Sequence, residues 1–181
     1  MKPGIHKKIS KLMSYALRHQ PEALGLELDD EGWVATHQLI SGLNKKIPEI
    51  NLTMLEEVVR TNDKKRFAFS GDQTKIRASQ GHSIAVDLHL IKKEPPQVLY
   101  HGTVSKSLDK IKKEGLHKMS RQHVHLSSNI ATAKNVGGRR GQPVILMINA
   151  SQMHRNGIAF YQSENGVWLT DHVPPGYLQD H

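Results

Sequence analysis

The chain has 181 residues, of which 25 are Lys or Arg and 17 Asp or Glu, so its formal net charge is +8 with histidine counted neutral. That length allows one domain or two small ones, and a hydrophobic fraction of 37% is too high for a disordered chain and too low for a membrane protein. The absence of cysteine excludes disulfides, thiol nucleophiles, thiolate zinc sites and iron–sulfur clusters. No run approaches the ~18 apolar residues that span a bilayer. The opening MKPGIHKKIS lacks the apolar stretch of a secretory signal, so a cytoplasmic protein without membrane contact is expected. The basic balance fits a polyanionic partner, nucleic acid among them, or a merely basic surface.

Ile5, Ile9, Leu12, Met13, Ala16 and Leu17 share one face at helical spacing. This helix is expected to end near His19, because Pro21 cannot continue it. An acidic turn at Asp29, Asp30 and Gly32 leads into a short strand, Trp33-Val34. Thr36 is expected to cap a helix running to about Asn44. Thr53 and Glu56 have capping-box spacing and open a third helix. Arg66 to Ser70, the turn Gly71-Asp72, and Lys75 to Ala78 form a hairpin. Three helices followed by a β-hairpin is the order of a winged-helix unit.

The stretch Gln80 to Gln97 ends in Lys92-Lys93-Glu94-Pro95-Pro96, a stiff connector. Two lobes are therefore expected, 1–92 and 93–181. The second begins with a strand at Val98–Tyr100 leading into His101-Gly102-Thr103. A helix over Ser105–Glu114 closes at Gly115. Val124–Leu126 is a strand, and Ser127 or Ser128 caps a helix to about Asn135. Pro143–Ile148, Ile158–Tyr161 and Val167–Thr170 are further strands. The expected class is α+β.

Several short motifs offer chemistry. Arg18-His19 ends the first helix, where cations also favour the helix dipole. Arg66 opens a strand, which holds a guanidinium more rigidly than a loop would. Arg77 on the opposing strand is a second contact or a cross-strand surface charge. Gln80-Gly81-His82-Ser83 places a permissive glycine among donors, or is a simple turn. Gly102 allows close backbone approach at a strand end. The Gly137-Gly138-Arg139-Arg140-Gly141 segment is either a phosphate cradle or a flexible loop. His123 and His125 share a strand face, but with no cysteine or convincing carboxylate nearby, a metal is not expected.

Taken together, these motifs resemble those of the NAD-dependent RNA 2′-phosphotransferase family. The resemblance runs through KLMSYALRHQPEALGLELDDEGWV at 11–34, KKRFAF at 64–69, IRASQGHS at 76–83, LYHGT at 99–103, HLSSN at 125–129 and NGVWLT at 165–170. It implies a winged-helix RNA lobe followed by an ADP-ribosyltransferase-like lobe that binds NAD. The implied reaction removes an internal 2′-phosphate from RNA and consumes NAD as cosubstrate. The products are 2′-OH RNA, nicotinamide and ADP-ribose 1″,2″-cyclic phosphate, formed through an ADP-ribosylated RNA 2′-phosphate intermediate. Where tRNA splicing leaves a 2′-phosphate, that junction is the implied substrate.

The resemblance also assigns residues. The catalytic basic tetrad falls on Arg18, His19, Arg66 and Arg139, with Arg140 as an alternative to the last. His101, Gly102 and His125 fall at NAD-site positions, together with Thr103, Ser127, Gln80, Gly81 and His82. Val167 stands where many ADP-ribosyltransferases carry glutamate. A phosphate nucleophile is already anionic, needs no general base, and would be repelled by a carboxylate. No metal is implied, and a monomer is expected. The competing readings are an ADP-ribosyltransferase acting on other nucleic-acid or protein acceptors, and a non-catalytic winged-helix RNA-binding protein.

Overall fold

The computed structural model describes residues 3–180. They form two compact units divided between His89 and Leu90. Together the units contain six α-helices and four small sheets, with antiparallel pairing throughout. No described helix is long and apolar enough to cross a membrane.

In the first unit, α1 (Pro3–Arg18) buries Ile9, Met13, Ala16 and Leu17 completely, which is the stripe its sequence period defines. It stops as expected before Pro21. The Tyr15 carbonyl accepts the N–H groups of both His19 and Gln20, and a 3-10 turn over Pro21–Leu24 follows. Two cap assignments differ from expectation. α2 (Thr36–Asn44) has Ala35 at its N-cap, because Thr36 is drawn away: its hydroxyl donates to the Gln73 carbonyl and its N–H to that of Thr74. α3 (Leu52–Arg60) is capped by Asn51, whose side chain accepts the Met54 N–H, so Thr53 lies inside the helix. Strands β1 (Val34–Ala35), β2 (Phe67–Phe69) and β3 (Lys75–Ala78) form a sheet in the order β1-β3-β2. The hairpin stands where it was expected, with Ala68 opposite Arg77. Leu39, Leu43, Leu55, Val58, Phe67 and Ile76 close the core against α1.

In the second unit, β4 (Leu99–Val104) is longer than its apolar start suggested, because all six residues pair with β7 (Pro143–Ile148). β11 (Leu178–Asp180) completes a sheet in the order β11-β7-β4. A second sheet joins β6 (Val124–Leu126), β9 (Trp168–Thr170) and β8 (Tyr161–Gln162) in the order β6-β9-β8. The two-residue strands β5 (Leu116–His117) and β10 (His172–Val173) pair with each other. α4 (Ser105–Glu114) ends at Gly115 with φ +85°, as expected. α5 (Ile130–Gly137) is capped by Asn129, which accepts the Thr132 N–H, so neither serine caps it. Ser127 instead accepts the Asn129 N–H and donates to its carbonyl, shaping the turn before the helix. α6 (Ala150–Arg155) follows β7. Leu99, Ile148, Met153, Phe160, Trp168 and Val173 lie in this unit's core.

Candidate active site

Three sequence-predicted basic residues of the first unit are tied together by one segment. Residues 79–83 leave the end of β3 and act as a strap. At its start, the Ser79 N–H donates to the Arg66 carbonyl and its hydroxyl to that of Lys65. The Arg66 N–H donates to the Asn62 side chain, which in turn donates to the Ser10 hydroxyl on α1. Arg66 is thus held at both backbone groups. Gly81 then turns the chain with φ +90°, a conformation open to glycine. At the far end, the Ser83 N–H caps the Arg18 carbonyl at 2.9 Å, and its hydroxyl lies 2.8 Å from His19 Nδ1. This bond satisfies one of the carbonyls that a helix C-terminus leaves without an intrahelical donor. Arg18 is buried, whereas His19 is exposed.

His82 lies in the middle of the strap, 1% exposed, and neither ring nitrogen has a hydrogen-bond partner among the described residues. Burial, assisted by the positive charges of Arg18, His19 and Arg77, pushes its pKa down to about 4. His82 is therefore a neutral imidazole at pH 7, set among cations. Arg77 is not a surface charge. It is 8% exposed, with its guanidinium carbon 4.3 Å from the Trp33 ring centroid and Nη1 3.8 Å from Glu31. Gln80, Gly81 and His82, assigned to NAD by resemblance, stand in this unit beside Arg18 and His19.

The second unit gathers the remaining positions around the end of one ladder. Tyr100 and Ser127 exchange both backbone hydrogen bonds, 2.7 and 2.9 Å, as an isolated bridge joining β4 to the end of β6. The ladder does not continue past it. The His101 ring stands 3.2 Å from the His125 carbonyl through Nδ1. Strand periodicity then turns the Gly102 N–H and C=O to the same edge as those of Tyr100, away from β7. This glycine pair is a donor and an acceptor suited to a carboxamide.

The absence of a side chain at Gly102 has a separate cause. A Cβ there would lie 1.8 Å from the Ala133 carbonyl oxygen on α5. Thr103, one residue on, is buried.

The β6–β9 register pairs Leu126 with Trp168 and His125 with Leu169. One step further it sets Val167 opposite Ser127, on the face that also carries His125. Val167 is held by Ser163, whose N–H donates to its carbonyl and whose hydroxyl accepts its N–H. The sequence-separated HGT, HLS and VWL motifs thus meet across neighbouring strands. Burial lowers the His101 pKa, and its Nδ1–H donates to the His125 carbonyl, leaving Nε2 as an acceptor. His125 Nδ1 likewise lies 3.0 Å from the His123 carbonyl. Burial also lowers the His123 pKa, against the opposing pull of Asp171.

Arg139 lies exposed in the 3-10 turn Gly138–Arg140 that follows α5. The side chain of Arg140 lies outside the described residues, so the alternative between these two arginines stands. Among the described residues, no group of three or more His, Asp or Glu side chains is arranged to hold a metal ion. Sequence reasoning passed over Ser79 and Asn62, which hold Arg66, and gave Ser83 no role of its own. The one local signal was Gly81, whose position in a polar run marked a turn.

Comparison with known proteins agrees with this set of motifs. The family model described as RNA 2′-phosphotransferase, Tpt1 / KptA family, matches residues 5–172. A probable RNA 2′-phosphotransferase of Flavobacterium johnsoniae is 55% identical over 179 residues, covering 99% of this chain and 98% of that protein. Proteins of the same description from Rhodopirellula baltica and Pseudomonas fluorescens are 54% and 52% identical, the first covering 93% of this chain and 92% of the relative, the second 99% of each. With a family match over nearly its whole length and full-length relatives above half identity, the chain belongs to the RNA 2′-phosphotransferase, Tpt1 / KptA family.

Proposed function

We propose that this protein removes an internal 2′-phosphate from RNA by transferring it to NAD. The observation that carries this reading is the strap of residues 79–83, which ties Arg66 to Arg18 and His19. Such a set suits a phosphate dianion, because guanidinium groups fixed before the reaction stabilise charge without reorganising. On this reading the first unit is a winged-helix lobe for RNA. The second is an ADP-ribosyltransferase-like lobe for NAD.

NAD supplies an anomeric carbon bearing a good leaving group. The chain's own residues bind and orient. The Gly102 N–H and C=O hold the nicotinamide carboxamide, and His101 Nε2 accepts from a ribose hydroxyl. His125, Ser127 and Val167 line the same region, with Gln80, Gly81, His82 and Thr103 as further candidates for contact. Val167 keeps a carboxylate away from the incoming phosphate. In the first step, a 2′-phosphate oxygen displaces nicotinamide, giving an ADP-ribosylated RNA 2′-phosphate. In the second, the neighbouring 2″-hydroxyl attacks phosphorus and gives up its proton to solvent. The RNA 2′-oxygen then departs, taking a proton that His19 can supply. Arg18, His19, Arg66 and Arg139 stabilise the charge that builds on the phosphoryl oxygens.

Incubation with NAD and a 2′-phosphorylated oligonucleotide tests the proposal. Nicotinamide, 2′-OH RNA and ADP-ribose cyclic phosphate are expected in equal amounts. RNA binding without nicotinamide release would instead support a non-catalytic module. Nicotinamide release with label on protein would support a protein-directed ADP-ribosyltransferase.

A further inference from the structure

The Ser83 side chain makes a contact that the reaction as written does not use. Its hydroxyl oxygen is 2.8 Å from His19 Nδ1 and 3.5 Å from the Arg18 carbonyl oxygen. The backbone position of that hydroxyl is fixed, since the Ser83 N–H donates to the same Arg18 carbonyl at 2.9 Å. A hydroxyl both donates and accepts, and its proton rotates. It therefore has a partner in either state of the imidazole. With the hydroxyl proton turned toward the Arg18 carbonyl, Oγ accepts from Nδ1–H, so the neutral ring left when Nε2 gives up its proton keeps its proton on Nδ1. With His19 protonated, the same Nδ1–H donates to Oγ and Nε2 carries the second proton.

We infer that Ser83 is a positioning residue for His19, holding the ring at Nδ1 through both protonation states so that Nε2 delivers the proton to the departing RNA oxygen. This deepens the proposed reaction and rests on it. Which nitrogen of a histidine carries the proton is set by the bond the other nitrogen makes. A general acid held in one tautomer and one orientation spends no time in unproductive arrangements.

The test uses the full chain with Ser83→Ala and with Ser83→Cys, which keeps the size but offers a weak acceptor. Two readouts are taken. One is the ring-nitrogen resonances of His19 in 15N-histidine-labelled protein, identified by their loss in His19→Ala. The other is single-turnover decay of the ADP-ribosylated RNA intermediate. In wild type, the neutral His19 ring is expected to carry its proton on Nδ1. Both substitutions are expected to move it toward a tautomer mixture and to slow decay of the intermediate about tenfold, with KM for RNA nearly unchanged. Ser83→Thr restores both. Unchanged ring resonances in both variants, or wild-type decay in both, would overturn the inference. Slow decay with an unchanged tautomer also overturns it, because that is the mark of a structural role alone. The tautomer measurement needs no turnover. Absence of nicotinamide from the wild-type reaction would therefore defeat the proposed reaction while the resonances still decide the role of Ser83.

Discussion

Gly102 on β4 and Ala133 on α5 approach so closely that a Cβ on the glycine would stand 1.8 Å from the Ala133 carbonyl oxygen. Gly137 repeats the approach from the helix side, where a Cβ would lie 2.9 Å from the Gly102 carbonyl carbon. The two glycines let the helix settle onto the strand whose edge presents the Gly102 peptide groups. Gly102→Ala must push backbone against backbone, which no side-chain rotation relieves. It is expected to destabilise the second unit by about 3 kcal/mol or more, at the upper end of overpacking costs. Urea unfolding followed by Trp168 fluorescence checks this, with Trp33 replaced by phenylalanine so that a single tryptophan reports. A loss below about 1 kcal/mol would contradict the packing argument.

His82 makes stability depend on acid. Its pKa in the folded chain is lowered to about 4 from an ordinary 6.5, chiefly by burial. Below about pH 6.5 the unfolded chain binds a proton that the native chain refuses, so stability falls with falling pH until both states are protonated. Burial lowers His101 and His123 in the same direction. Chemical unfolding of wild type and His82→Leu at pH 7 and pH 4.5 isolates the His82 share. The wild type is expected to lose about 2–3 kcal/mol more than the variant over that interval. Equal losses would show that His82 is not held neutral.

The basic tetrad is expected to divide between the two steps. Displacing nicotinamide requires bound NAD and a positioned phosphate. Cleaving the RNA 2′-oxygen bond builds charge and requires a proton, so groups engaged chiefly in that transition state matter more for the second step. Arg18→Ala, His19→Ala and Arg139→Ala are expected to accumulate the ADP-ribosylated intermediate, with second-step rates down roughly 100-fold or more. Arg66→Ala is expected to slow formation of the intermediate as well. Gel separation of the RNA species in single-turnover reactions measures both steps. No build-up with His19→Ala and Arg139→Ala would refute the division while leaving the overall reaction intact.

RNA affinity is expected to fall with salt. The pairs Lys7-Lys8, Lys45-Lys46, Lys64-Lys65 and Lys92-Lys93 are all exposed. Contacts from such lysines to phosphates release counterions, and about three contacts to single-stranded RNA weaken binding roughly twentyfold between 50 and 200 mM salt. Few aromatics are present to stack bases, with 4 Tyr, 3 Phe and 2 Trp in the chain, so modest affinity is expected. Titration of a 2′-phosphorylated oligonucleotide at several salt concentrations gives the slope, and a flat response would refute it.

The reaction is expected to proceed without a divalent ion, since arginines supply the positive field at the phosphate. Full activity in excess chelator is the anticipated result. An absolute requirement for magnesium or manganese would overturn it.

Local physics was legible in the sequence. The stripe Ile9, Met13, Ala16, Leu17 and the stop before Pro21 set α1, because helix period and proline geometry act within a few residues. The hairpin over 67–78 was legible for the same reason, with its turn residues between two short strands. Cap choice was not. Asn51 and Asn129 cap helices where Thr53 and Ser127 or Ser128 also had suitable chemistry, and the path of the incoming chain decided among them. The paired strands β5 and β10, two residues each, are too short for any period to show. Arg18, His19, Arg66 and His101 stood out in the sequence as residue types in motifs. Their support did not: Ser83 reaches His19 across 64 positions, and His101 reaches His125 across 24. Such bonds exist only after the chain has closed those loops and buried its cores, so tertiary structure alone decided which donors hold which of these side chains.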